Sequence, residues 1–166
     1  MKSGASPHKT KTRYWLMRSI IEFLLFASTS GNKSRADADA TVDEIRAREL
    51  KLLVIDDDED YRRSFCFKLK RKYKAQVDDV NLGRLAVEKL KEGHSYDLIF
   101  TDIMMPEMSG IETYHELRKL NGTVRIVIMS AYSDSEEWKR AQQLGVTLLH
   151  KPIADHILLR VLRGES

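Results

Sequence analysis

Cysteine is almost absent. The single residue, Cys66, excludes any disulfide within the chain and any multi-cysteine zinc site, and it suits a reducing compartment. Long apolar runs are missing too. A membrane-spanning helix needs about 20 apolar residues, whereas the most apolar stretch, Tyr14–Ala27, is 14 residues long and contains Arg18 and Glu22. A large charge of one sign is also lacking, with 28 basic against 25 acidic side chains. That excess lies wholly within residues 1–50, with 9 basic and 6 acidic; residues 51–166 hold 19 of each. No low-complexity tract is long enough to matter. What is present is enough for one domain plus an extension: 166 residues, 42% apolar and 32% charged, a composition that excludes wholesale disorder.

Residues 1–35 read as a basic arm followed by an apolar amphipathic helix. Met1–Arg13 carries no acidic residue. Within Tyr14–Ala27, Arg18 and Glu22 share a helix face at i, i+4. Trp15, Leu16, Ile20, Phe23, Leu24 and Phe26 remain for a partner helix or a membrane surface. A signal peptide also joins a basic start to a short apolar stretch, but two charges inside that stretch argue against it. Residues 36–50 read as a linker with a short helix, begun by a Thr41…Glu44 capping box. Five basic residues in the first 18 with one Tyr–Trp pair make no fold that reads bases, so nucleic acid is not an expected partner.

From Lys51 onward, short β-branched runs alternate with helix-period stretches. Strand candidates β1 to β5 are Leu52–Ile55, Gln76–Val80, Leu98–Phe100, Val124–Met129 and Val146–Leu149. Helix candidates α1 to α5 are Tyr61–Lys72, Arg84–Glu92, Ile111–Leu120, Ser135–Leu144 and Ile153–Arg163. Four of the runs are nearly continuous in apolar residues, as strands buried on both faces are. Gly93, Gly122 and Gly145 stand where helices end. Five βα units imply an α/β, doubly wound five-stranded parallel sheet with helices on both faces. A ligand is expected at the carboxyl ends of its strands.

Polar residues gather at those ends. β1 runs into Asp56, Asp57 and Asp58, β3 into Thr101 and Asp102, β4 into Ser130, and β5 into His150 and Lys151. Two carboxylates 4 Å apart repel by about 4 kcal/mol at an effective dielectric of 20, so the cluster needs a cation. Hard oxygen ligands with room for water suit Mg²⁺ better than Zn²⁺ or a caged Ca²⁺. Asp58, Glu59 and Asp60 read as the cap and first turn of α1. His94, His115, His150 and His156 show no ligand spacing, and Cys66 reads as a buried helix residue. The basic run Arg62, Arg63, Lys68, Lys70, Arg71, Lys72 and Lys74 reads as a solvated face.

The segments LLVIDDDEDYRRSF, DLIFTDIMMPEMSGIE, RIVIMSAYSD and LLHKPI resemble, in order and spacing, the signatures of the response-regulator receiver domain of two-component signalling. The resemblance covers residues 51–163 and implies the flavodoxin-like (βα)5 fold with strand order 2-1-3-4-5, preceded here by an N-terminal helical extension. It makes Asp102 the phosphoacceptor. Asp56, Asp57, Asp102 and the backbone carbonyl of Met104 become the Mg²⁺ ligands, and Ser130 and Lys151 the partners of the phosphoryl group. Pro106 and Gly110 fit the loop after β3, and Pro152 the family's cis-proline. Leu148 departs from the aromatic residue common there. Met104 and Tyr132 occupy the positions that tune hydrolysis, where apolar bulk favours a long-lived phosphorylated state.

The implied function is a phosphoaspartate switch, cytoplasmic, with phosphotransfer and autophosphatase chemistry but not an enzyme in the usual sense. Its expected partners are a histidine kinase or phosphotransfer protein and a downstream protein. A homodimer is expected through the N-terminal helix or the α4–β5–α5 face. The chain ends soon after α5, so the expectation is a single-domain regulator or a fragment of a longer one. The alternative is an adaptor in which helix 14–27 recruits the receiver to a partner or membrane surface.

Overall fold

The computed structural model describes residues 39–165. The expected amphipathic helix 14–27 lies outside the described residues, as do the dimer and membrane contacts expected of it. Among the described residues no helix is long and apolar enough to cross a membrane.

The strands are β1 Lys51–Ile55, β2 Gln76–Val80, β3 Leu98–Asp102, β4 Arg125–Ser130 and β5 Thr147–His150. They form one sheet of order β2-β1-β3-β4-β5 in which every pairing is parallel. The helices are α1 Glu59–Tyr73, α2 Gly83–Lys91, α3 Gly110–Leu120, α4 Glu136–Gln142 and α5 Asp155–Arg163. This is the fold class and strand order expected above.

The two-residue period of a strand sorts the apolar runs between faces. Leu52, Val54, Leu98, Phe100, Val127 and Met129 face one layer, where Phe65 and Leu69 of α1 and Leu158, Val161 and Leu162 of α5 cover them. Leu53, Ile55, Ile99 and Ile126 face the other, under Ala86 and Val87 of α2 and Leu117 of α3. Ile103 and Ile128 meet Ala141 of α4. The central strand β3 is buried at all five positions, the apolar Leu98–Phe100 run and the polar Thr101 and Asp102 alike.

Side-chain caps set where three helices start. Asp58 accepts from the Tyr61 N–H at 3.0 Å, and Ser135 accepts from that of Trp138 at 3.1 Å. Ser109 and Glu112 make a full capping box at α3. The expected box at Thr41 is not the start of its helix. The helical stretch covers 39–47 and takes in Asp39 and Ala40, since alanine favours helix and no glycine or proline separates them from Thr41.

Within the unit Val42–Ser166 this stretch is more than a connector. Ile45 and Leu50 are buried in the α1/α5 layer. Arg46 Nε donates to the Lys72 carbonyl at 2.9 Å, and Arg48 Nη1 donates to those of Leu162 and Arg163 at 3.2 and 3.3 Å. Arg125 donates to the Val161 carbonyl. Arg46 and Arg48 therefore satisfy carbonyls that the ends of α1 and α5 leave free, while Arg125 adds a second donor to the Val161 carbonyl, which the Gly164 N–H already bonds at 3.1 Å.

Candidate functional site

Parallel register brings the strand ends to one level. Ile55 pairs with Thr101, Asp102 with Met129, and Ser130 with His150. The residues that follow or close these strands therefore converge. Asp56, Asp57, Asp102, Met104, Ser130 and Lys151 all line one cleft of about 180 Å³, completed by Asp58, Ala131 and Tyr132.

Lys151 organises the cleft. Its Nζ donates to Asp56 Oδ2 at 2.5 Å and to Asp102 Oδ1. Backbone N–H groups take the other two oxygens, Asp58 donating to Asp56 Oδ1 at 3.1 Å and Met104 to Asp102 Oδ2 at 2.6 Å. Asp56 is 0% exposed and Asp102 6%. Burial holds both carboxyls above their ordinary value, while the hydrogen bond and charge of Lys151 pull them down. Like-charge repulsion within the cluster also raises them, but desolvation is the larger effect.

The remaining residues frame this trio. Asp57 is exposed. Ser130 is buried, and its Oγ accepts from the Tyr132 N–H at 2.9 Å and donates to the Tyr132 carbonyl at 3.1 Å. Met104 and Tyr132 are both exposed beside the cleft. The Lys151–Pro152 peptide is cis, matching the expectation for Pro152. Gly110 sits against the Asp102 backbone, where a Cβ would lie 2.1 Å from the carbonyl oxygen. Only glycine lets α3 start so close to β3.

A Mg²⁺ ion was expected here. The donors suit it, because three carboxylates line a cleft with space for retained waters, and two of them are buried with less positive charge than their ionised forms require. They are not a ready-made cage. Among the described residues no group of three His, Cys, Asp or Glu side chains is set to hold a metal, consistent with Asp56 and Asp102 both bonding to Lys151.

Two contributors were not evident from the sequence. Tyr61 lies in the first turn of α1 with its ring beneath the Lys151 ammonium, 4.3 Å from centroid to Nζ. Arg62, assigned above to a solvated basic face, is 13% exposed in its side chain. It donates to the Asp56 carbonyl at 2.6 Å and to Asp79 Oδ2 at 3.0 Å. Its signal was the acidic Asp78–Asp79 pair on β2, which needed a cation from α1. The four C-terminal-half histidines, His94, His115, His150 and His156, are exposed. Cys66 is buried, and burial pushes its thiol up to about 11, so it is no nucleophile. A larger cleft of about 430 Å³ opens at the other edge of the sheet, beside Lys51, Asp78, His94 and Tyr96. There Asp78 is already engaged by the Tyr96 hydroxyl at 2.7 Å and by Lys89.

A family model described as response regulator receiver domain matches residues 52–163. The transcriptional regulatory protein ZraR of Escherichia coli (strain K12) is 36% identical over 108 residues, 63% of this chain and 23% of that protein. The chemotaxis protein CheY of Bacillus subtilis (strain 168) is 39% identical over 84 residues, 49% of this chain and 69% of that protein. A solved response regulator receiver domain protein from Clostridium thermocellum matches at 24% identity with a TM-score of 0.62, covering 69% of this chain and 92% of that one. That last likeness carries the fold alone. The chain spans less than a quarter of the length of ZraR.

Proposed function

This chain belongs to the response regulator receiver domain family of two-component signal transduction, and we propose that residues 51–163 form a phosphoaspartate switch with Asp102 as its phosphoacceptor. The observation that carries the reading is Asp102 itself. It is a nearly buried carboxylate at the end of the central strand, with its oxygens held by Lys151 and the Met104 N–H.

A carboxylate oxygen of Asp102 attacks the phosphorus of a phosphohistidine or an acyl phosphate. The P–N or P–O bond breaks as the new O–P bond forms, and the leaving group keeps the electron pair. Lys151 stays beside the transferred group and offsets charge on its oxygens. Asp56, Asp57, Asp102 and the Met104 carbonyl are the ligands proposed for Mg²⁺, which supplies charge neutralisation at those same oxygens when bound. Arg62 keeps Asp56 in place through its carbonyl.

The output follows from Ser130. To donate to a phosphoryl oxygen, its hydroxyl must release the Tyr132 carbonyl. The Tyr132 N–H already bonds the same oxygen, so the β4–α4 loop follows. Leu148 packs half-buried beside Ile103, Ile128 and Ala141, so no ring at that position reports the change. The partners proposed are a histidine kinase or phosphotransfer protein upstream and a protein downstream, in the cytoplasm.

The test is incubation with Mg²⁺ and acetyl phosphate followed by mass measurement of the intact chain. The expected result is the gain of one phosphoryl group, abolished by Asp102→Asn. Equal gain in that variant removes Asp102 from the role.

A further inference from the structure

We infer that Tyr61 is a positioning residue for Lys151, its ring face holding the ammonium where it meets Asp56 and Asp102. The inference rests on the switch reading for its consequence and on geometry alone for its existence. The Lys151 ammonium has three donors. Two go to the carboxylates, and the ring of Tyr61 lies 4.3 Å from Nζ. The ring's negative face complements what remains of the cation. Only 10% of the lysine side chain is exposed, so the ring also stands where water would otherwise hydrate the charge.

The ring is itself located from two directions. Asp58 caps α1 and accepts from the Tyr61 N–H, which sets the helix register at this residue. Tyr61 then stacks on Phe65, one turn along, with centroids 5.8 Å apart and planes 19° from parallel. Phe65 meets Phe100 edge-on at 5.1 Å and 89°. Phe100 is on β3, two residues before Asp102. A continuous series of ring contacts therefore runs from the strand that carries the carboxylate to the ammonium that bonds it. The phenol oxygen does not account for the residue, since it is buried with no hydrogen-bond partner. The ring is what the site uses, and phenylalanine can replace it.

Two readouts on the whole chain test this. In proton NMR, the ring current over its face should displace the Lys151 ε-methylene resonance upfield in the wild type and in Tyr61→Phe. It should return to the ordinary lysine position in Tyr61→Leu. With acetyl phosphate and Mg²⁺, Tyr61→Leu should be phosphorylated about 2- to 30-fold more slowly, the span of a cation–π contact expressed as a rate. Tyr61→Phe should recover that loss. Tyr61→Met, a second apolar filler, should be slowed like Tyr61→Leu, which separates loss of the ring from a folding defect of one variant. An undisplaced Lys151 resonance in the wild type overturns the inference whatever the phosphorylation result. So does Tyr61→Leu reacting at the wild-type rate, and that result leaves the switch reading standing. A wild type that accepts no phosphoryl group refutes the switch reading instead, and the NMR comparison then decides the role of Tyr61 alone.

Discussion

At the carboxyl edge of the sheet, two buried carboxylates, Asp56 and Asp102, share the ammonium of Lys151. At the opposite edge, Arg46, Arg48 and Arg125 lie against carbonyls at the ends of α1 and α5. In the second arrangement each cation meets only the partial negative charge of a helix-end carbonyl, and no full anion is buried. In the first, two anions are taken from water with one cation between them, leaving negative charge uncompensated. The comparison separates groups placed for stability from groups held ready for a ligand. Uncompensated negative charge is what the proposed metal ion and phosphoryl chemistry would require of this site.

The sharpest way to break the comparison is Lys151→Met. Removing one partner of a buried ionic group costs about 3 to 5 kcal/mol, to be read from urea unfolding of metal-free protein near neutral pH. The cost should shrink on acidification. Folded Asp56 and Asp102 carboxyls titrate above their ordinary value of 3.8, so the folded state binds protons more tightly than the unfolded chain. Stability from these groups is full below about pH 4 and is lost as pH rises through the raised range. Asp78, at the other edge, has the opposite sign. The Tyr96 hydroxyl holds its carboxyl below 3.8, so its contribution is present above about pH 4 and is lost as pH falls through the lowered value. A Lys151→Met cost that does not vary between about pH 5 and pH 8 would contradict the first assignment.

Gly110→Ala comes next. Its Cβ would collide with the Asp102 carbonyl oxygen, and a loss on the order of 3 kcal/mol is expected, with phosphorylation impaired because the collision lies at the acceptor's own backbone. Arg48→Ala should lose about 1 kcal/mol, the value of charge-assisted bonds to helix-end carbonyls, with phosphorylation by acetyl phosphate unchanged. The smallest effect belongs to Gly122→Ala, at the far end of α3 from Gly110. A Cβ there meets nothing within 4 Å and the backbone is not left-handed. A gain of about 0.5 kcal/mol is expected from the stiffer unfolded chain, checked by a thermal midpoint that does not fall.

Much of the fold was legible because β1, β3 and β4 are buried on both faces and so read as nearly unbroken apolar runs. The observed strand limits differ from expectation by one or two residues, mostly where polar residues extend the strand: Thr101 and Asp102 in β3, Ser130 in β4 and His150 in β5. The cleft residues were legible because each stands directly at such a strand end, and parallel pairing brings those ends together without further information. Contacts set by side-chain direction were not legible. Tyr61 reaches Lys151 across 90 positions of sequence, and only the register of α1 turns its ring that way. Ile45 and Leu50 looked like connector residues because a single apolar residue per turn does not announce a buried face. The origin of the raised carboxyl values was also hidden, since the sequence shows that charges are close but not how dry they are.

The edge strand β2 carries Asp78 and Asp79 in succession, and among the described residues its outer backbone groups face no further strand. An open sheet edge is a template on which another chain can add and propagate into aggregates. Here a second β2 aligned on the first would bring like carboxylates together on each face of the sheet, Asp78 on one and Asp79 on the other. Tyr96 fastens Asp78 and Arg62 fastens Asp79, so these charges cannot swing aside to admit a newcomer. The same two aspartates that anchor the first helix and the loop before β3 therefore guard the sheet against fibre growth, and protonating them in acid would weaken that guard.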